Sequence, residues 1–91
     1  ELHTGDYCEA STAAVAAQQL ERLRVAAVVG HELGLIVAAG HGLDYRNVHA
    51  VAGLDHIEEL NIGHSIVCRA VFVGFEQAVV DMLIAMNGVE S

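Results

Sequence analysis

Three groups of residues in this sequence could do chemistry together. Glu1 and His3 are two apart, so on a strand their side chains share a face. Gly40-His41-Gly42 sets an imidazole between two glycines, and Gly63-His64-Ser65 places a second imidazole and a hydroxyl directly after a glycine. Imidazole changes charge near neutral pH, which suits it to proton transfer. At Gly42 and Gly63 the missing Cβ lets backbone amides approach a bound group. If His64 and Ser65 open a helix, its free amides and dipole favour an anion. The combination reads as proton transfer beside an anion cradle. Plainer readings stand next to it: His41 as a loop histidine capping a carbonyl, and Glu1 as a carboxylate exposed to water. Glu1, His3, His41 and His64 lack the close ligand spacing of a motif such as HExxH, and no metal site is expected.

These groups need strand ends to position them, and the chain offers three. Glu1 to Thr4 reads as the end of a strand, closed by Gly5, with a loop from Asp6 to Ala10. Ser11 or Thr12 can cap a long Ala-rich helix that runs to Leu33, with an apolar stripe of Ala16, Leu20, Leu23 and Ala27. Val25, Val28 and Val29 widen its apolar surface, and Gly34 is the natural C′ residue. The continuously apolar run Leu35 to Ala39 suits a parallel strand covered on both faces. Asp44 then caps a second helix, Tyr45 to Ala52, ended by Gly53. Glu59 to Ile62 is a third strand, followed by a short apolar helix, Ile66 to Val73. The last helix, Phe75 to Asn87, carries Phe75, Ala78, Val79, Met82, Leu83 and Met86 at helical spacing and stops at Gly88. His31, His49 and His56 fall at or near helix ends and read as solvated or capping residues, whereas Tyr7 and Cys8 lie in a loop with no assigned role.

Strands alternating with helices predict a parallel α/β sheet. Three parallel strands alone leave two open edges, and a complete (β/α)8 barrel takes about 250 residues. The 91 residues therefore hold the content of three barrel units, read as one partial domain over 1–91. Composition excludes several functions. Lysine is absent and Arg22, Arg24, Arg46 and Arg69 face 12 acidic residues, for a net charge of −8. Such a chain has no basic face for nucleic acid and none for an anionic membrane. With 54% hydrophobic residues, disorder is excluded as well. Cys8 and Cys68 fit no metal or disulfide framework and read as free thiols in a reducing compartment.

The blocks Glu1-Leu2-His3-Thr4-Gly5, Ala39-Gly40-His41-Gly42-Leu43 and Glu59-Leu60-Asn61-Ile62-Gly63-His64, followed by Arg69-Ala70, resemble the pyridoxine 5′-phosphate synthase family. The resemblance runs over essentially the whole chain and corresponds to the C-terminal part of that enzyme, from the sixth barrel strand onward. It implies a (β/α)8 barrel of which this chain holds strands 6 to 8, assembled as a cytoplasmic homo-octamer. It implies condensation of 3-amino-2-oxopropyl phosphate with 1-deoxy-D-xylulose 5-phosphate to pyridoxine 5′-phosphate, phosphate and water, with no cofactor or metal. On this resemblance His41 is the proton donor, in agreement with the reading of its residues as a titratable group on a flexible loop. Glu1 stabilises the transition state, and Gly42, Gly63 and His64 bind the aminoketone phosphate. One residue departs from the pattern: the family's Asn before Ala-Gly-His-Gly is Ala38 here. The family's remaining catalytic groups, a histidine and a glutamate acting as bases, precede this segment, so the chain is expected to be a fragment, inactive alone. A second reading of the residues is a stand-alone phosphate-binding half-barrel module that self-associates through its sheet edges.

Overall fold

Thr12 starts the longest helix by a side-chain cap. Its extended backbone (φ −135°, ψ 159°) turns the hydroxyl onto the Val15 amide, 3.1 Å away. The computed structural model describes residues 1–88; residues 89–91, the tail of the expected domain, lie outside the described residues. The elements follow in the order β1 (Leu2–His3), α1 (Gly5–Cys8), α2 (Ala13–Glu32), β2 (Val37–Gly40), α3 (Val48–Ala52), β3 (Ile57–Asn61), α4 (His64–Val73) and α5 (Phe75–Asn87). The three strands form one parallel sheet in the order β1-β2-β3, the α/β alternation expected from the sequence. None of the helices among the described residues is long and apolar enough to cross a membrane.

The core forms where the sheet meets α2, α3 and α5. Leu23 and Ala27 from α2, Ala39 from β2, Val48 and Val51 from α3, and Ala78 and Met82 from α5 are buried. The expected α2 stripe is thus the face that packs, as apolar residues at helical spacing should. The wider apolar surface of that helix packs only in part among the described residues: Val28 is partly buried, whereas Val25 and Val29 are about half exposed.

Several boundaries, and the facing of part of α5, differ from the sequence reading; β3 starts at Ile57 and ends at Asn61, and α4 starts at His64. The loop after β1 opens with one helical turn, α1, begun by the Cys8 amide bonding to the Thr4 carbonyl at 3.0 Å. Strand β2 starts at Val37 rather than Leu35. Gly34, at φ +78°, bonds to the His31 carbonyl, and the Leu35 amide bonds to the Gly30 carbonyl. This pair of bonds is a Schellman closure, and it spends Leu35 on ending α2. Leu35 and Ile36 are left 61% and 77% exposed, so the run is not a strand covered along its length.

Asp44 does accept from backbone amides, those of Arg46 and Asn47 at 2.8 and 3.0 Å. That arrangement makes a turn, however, and α3 begins only at Val48. In α5, Ala78 and Met82 are buried as expected, but Phe75 (65% exposed) and Leu83 (52%) face outward with Phe72 and Val71 of α4.

Candidate active site

The three strands end in one row. His3 pairs with Gly40, and Gly40 pairs with Asn61. Because the strands are parallel, the segments leaving them emerge on a single edge, where open α/β sheets and barrels bind ligands. Glu1, His3, Gly40 and His41 surround a pocket of about 270 Å³ at this edge. A larger cleft of about 550 Å³ opens between the turns after β2 and β3 and the first turn of α4; His41, Gly42, Asn61, Gly63, His64 and Ser65 line it. His41 borders both. All five residues singled out as catalytic or substrate-binding, Glu1, His41, Gly42, Gly63 and His64, therefore lie along one edge of the sheet.

His41 is more firmly held than a histidine between two glycines suggested. Its backbone sits at φ +95°, a region that L-residues seldom adopt. Its carbonyl accepts the Thr4 hydroxyl at 2.5 Å and the Cys8 thiol at 3.5 Å. The Thr4 amide meanwhile bonds to the Gly40 carbonyl at 2.9 Å, so Thr4 ties down two successive residues. The His41 ring stacks on that of His3, with centroids 4.2 Å apart and planes 26° from parallel. The loop is thus clamped from β1 and α1, which corrects the expectation of a flexible one.

Thr4 and Cys8 were missed as site residues; the one available signal was strand parity, which puts Thr4 on the same face as the partly buried Leu2. Thr4 is fully buried (0% exposed) and its hydroxyl has its single bond to give to His41. Replacing it with valine keeps the shape and removes the donor. Thr4→Val is expected to destabilise the protein by about 1–3 kcal/mol, read as a lower urea midpoint at unchanged slope. An unchanged midpoint would show that the clamp adds nothing.

Glycine geometry divides the cradle. Gly42 adopts φ +80°, and a Cβ there would lie 3.0 Å from Cβ of Cys8, so the chain itself requires glycine. Gly63 is different: its φ is −127°, and a Cβ would meet nothing within 4 Å. The space before it is open to a bound group. Helix α4 starts at His64 without a side-chain cap, leaving its first amides free at the cleft. Ser65 anchors that start by donating its hydroxyl to the Leu43 carbonyl at 2.8 Å. His64 Nε2 lies 3.6 Å from the Cys68 thiol one turn on.

The surrounding groups hold their protons. Burial, chiefly, pushes the Cys8 thiol above its ordinary value, and it does the same for the Tyr7 phenol. Tyr7 donates to the Asn47 carbonyl at 2.8 Å, which ties α1 to the turn before α3. Asn61 donates to the Glu1 carboxylate across the strand ends at 3.3 Å. Arg69, by contrast, is engaged away from the cleft, on Asp81 at 3.1 Å and over the Tyr45 ring. Among the described residues no group of three or more His, Cys, Asp or Glu is arranged to hold a metal. The three other histidines lie elsewhere: His31 stacks on His56 at 4.0 Å, and His49 Nδ1 contacts the Met86 carbonyl at 3.1 Å.

A carboxylate, two stacked imidazoles and a glycine-lined helix start thus gather on the C-terminal edge of a parallel α/β sheet, the edge at which α/β proteins bind ligands. The family described as pyridoxal phosphate biosynthesis protein PdxJ matches residues 1–88, and the chain belongs to that family. It is 49% identical over 88 residues to the pyridoxine 5′-phosphate synthase of Syntrophotalea carbinolica. It is 53% and 54% identical to those of Crocosphaera subtropica and a Synechocystis species. In each case 97% of this chain is aligned, and it spans 36–37% of the relative's length.

Proposed function

We propose that this chain forms strands 6 to 8, with their helices, of a (β/α)8 barrel that acts as a pyridoxine 5′-phosphate synthase. The barrel condenses 3-amino-2-oxopropyl phosphate with 1-deoxy-D-xylulose 5-phosphate, releasing phosphate and water, and works as a cytoplasmic homo-octamer. The observation that carries this reading is the place of His41, on the border between the Glu1 pocket and the cleft of Gly42, Gly63 and His64. A phosphate seated on the free amides of α4 puts the body of the aminoketone beside the His41 ring. Ring closure passes through imine formation, loss of water and elimination of phosphate. Each step moves a proton, and His41 is the group in reach to donate one. Glu1, held by Asn61, faces the same pocket and offsets positive charge that develops on the nitrogen.

The test is a chimera. Residues 1–88 replace the matching segment of the Synechocystis relative, to which they are 54% identical. The chimera is expected to form pyridoxine 5′-phosphate from the two substrates, and the 91-residue chain alone is expected to form none. A folded chimera without product would reject the assignment; product from the chain alone would reject its dependence on the rest of the barrel.

A further inference from the structure

We propose that His3 is a positioning residue for His41: stacked on its face, it fixes the plane in which the His41 ring presents its proton to the pocket shared with Glu1. The inference rests on the reading of His41 as the proton donor.

The backbone clamp leaves a gap that the stack fills. Thr4 and Cys8 hold the His41 carbonyl, which fixes the direction of its Cα–Cβ bond. The two side-chain torsions, about Cα–Cβ and Cβ–Cγ, are untouched by those bonds, and the residue is exposed. An exposed imidazole free to rotate is aligned with a substrate only part of the time, and misalignment is costly in rate. The His3 ring, 4.2 Å away at 26°, closes one side of that rotation.

A positioning residue must itself be positioned, and His3 is. Its Nδ1 accepts the Gly5 amide at 3.2 Å, which sets its ring orientation from the backbone and leaves Nε2 to carry the proton of the neutral ring. Gly5 is buried, and a Cβ there would lie 2.6 Å from Cε1 of His3 and 3.1 Å from Cδ2 of His41. Both rings therefore rest on the face that the missing side chain leaves open. Strand register supplies the rest: His3 pairs with Gly40, so the residue after Gly40 is delivered to the side of the His3 ring.

Three variants in the chimera test this, with histidine-ring NMR as a readout separate from turnover. His3→Ala is expected to lower kcat about 10- to 100-fold, with KM for the aminoketone phosphate within about twofold of wild type. His3→Phe, which keeps a flat ring and loses both nitrogens, is expected to restore most of that loss. Gly5→Ala keeps both imidazoles but wedges against them, and is expected to behave like His3→Ala. In NMR the His41 ring protons should carry a ring-current shift that persists in His3→Phe and is lost in His3→Ala. Wild-type kcat in His3→Ala would overturn the inference. So would a His3→Phe protein as impaired as His3→Ala, because the imidazole's own chemistry would then be what matters. Identical His41 signals in wild type and His3→Ala would overturn it too, whatever the turnover. A visible stack combined with full turnover in His41→Ala would instead reject the functional reading, and this inference would fall with it.

Discussion

His41→Ala in the chimera is expected to lower turnover about 10²–10⁴-fold, the range that a positioned general acid contributes. The loss should appear in kcat rather than KM. Gly42, Gly63 and His64, which line the cleft with His41, are untouched by the substitution, so ground-state binding of the phosphate survives. The backbone also survives: the His41 carbonyl still accepts from Thr4 and Cys8. Alanine at φ +95° is no better suited than histidine, which is enriched at positive φ, so the fold gains no stability from the change. His49→Ala serves as the control, since that ring contacts the Met86 carbonyl and lines neither pocket. Turnover of His41→Ala within about threefold of wild type would remove His41 from the proton-transfer role. It would leave the cleft as a binding site without its catalyst.

The sequence showed the site more clearly than it showed the clamp. Apolar spacing located the buried faces of α2 and α5 through Leu23, Ala27, Ala78 and Met82, because periodicity reports directly on burial. Glycines flanking His41 and preceding His64 marked the strand ends: Gly42 takes a positive φ that other residues resist and Gly40 has no room for a Cβ, whereas Gly63 has neither constraint within the chain. The extent of β2 was not legible. An apolar run looks the same whether its first residues enter the sheet or close the preceding helix, and Gly34 decided for the helix. The outward side of Phe75 and Leu83 was not legible either, since apolar spacing shows which residues share a face but not whether anything covers it.

The hold on His41 was hidden for a different reason. Thr4 and Cys8 lie 37 and 33 residues before it in the chain, and only the parallel pairing of β1 with β2 brings them to its carbonyl. His3 was visible as a partner of Glu1 by strand parity, and the same pairing makes it the neighbour of His41. Local patterns find groups that can do chemistry. Contacts between distant segments determine how tightly those groups are held, and around the strand ends Gly5, Gly40 and Gly42 are positions where such contacts crowd out a side chain.

Gly40→Ala should separate those two levels. Gly40 is the last residue of β2, buried between β1 and β3. An added Cβ would lie 2.8 Å from the Asn61 carbonyl oxygen and 3.0 Å from its Cβ, and would collide with the Glu1 carboxylate. The carboxylate can swing away, but doing so removes it from the pocket and from the Asn61 amide. The Asn61 carbonyl is backbone in a paired strand and cannot move without loosening β3. The overpacking is expected to cost about 1–3 kcal/mol, which for a chain of the chimera's size lowers Tm by roughly 2–4 °C per kcal/mol. Turnover should fall as well, because Glu1 is displaced. Gly63→Ala makes the opposite prediction. With nothing within 4 Å of the new methyl group, Tm should hold while the aminoketone phosphate binds more weakly, since the ligand alone would meet it. If Gly63→Ala binds substrate normally, the phosphate does not sit against Gly63. If Gly40→Ala keeps both its Tm and its turnover, the close packing of the three strand ends does not hold the site together.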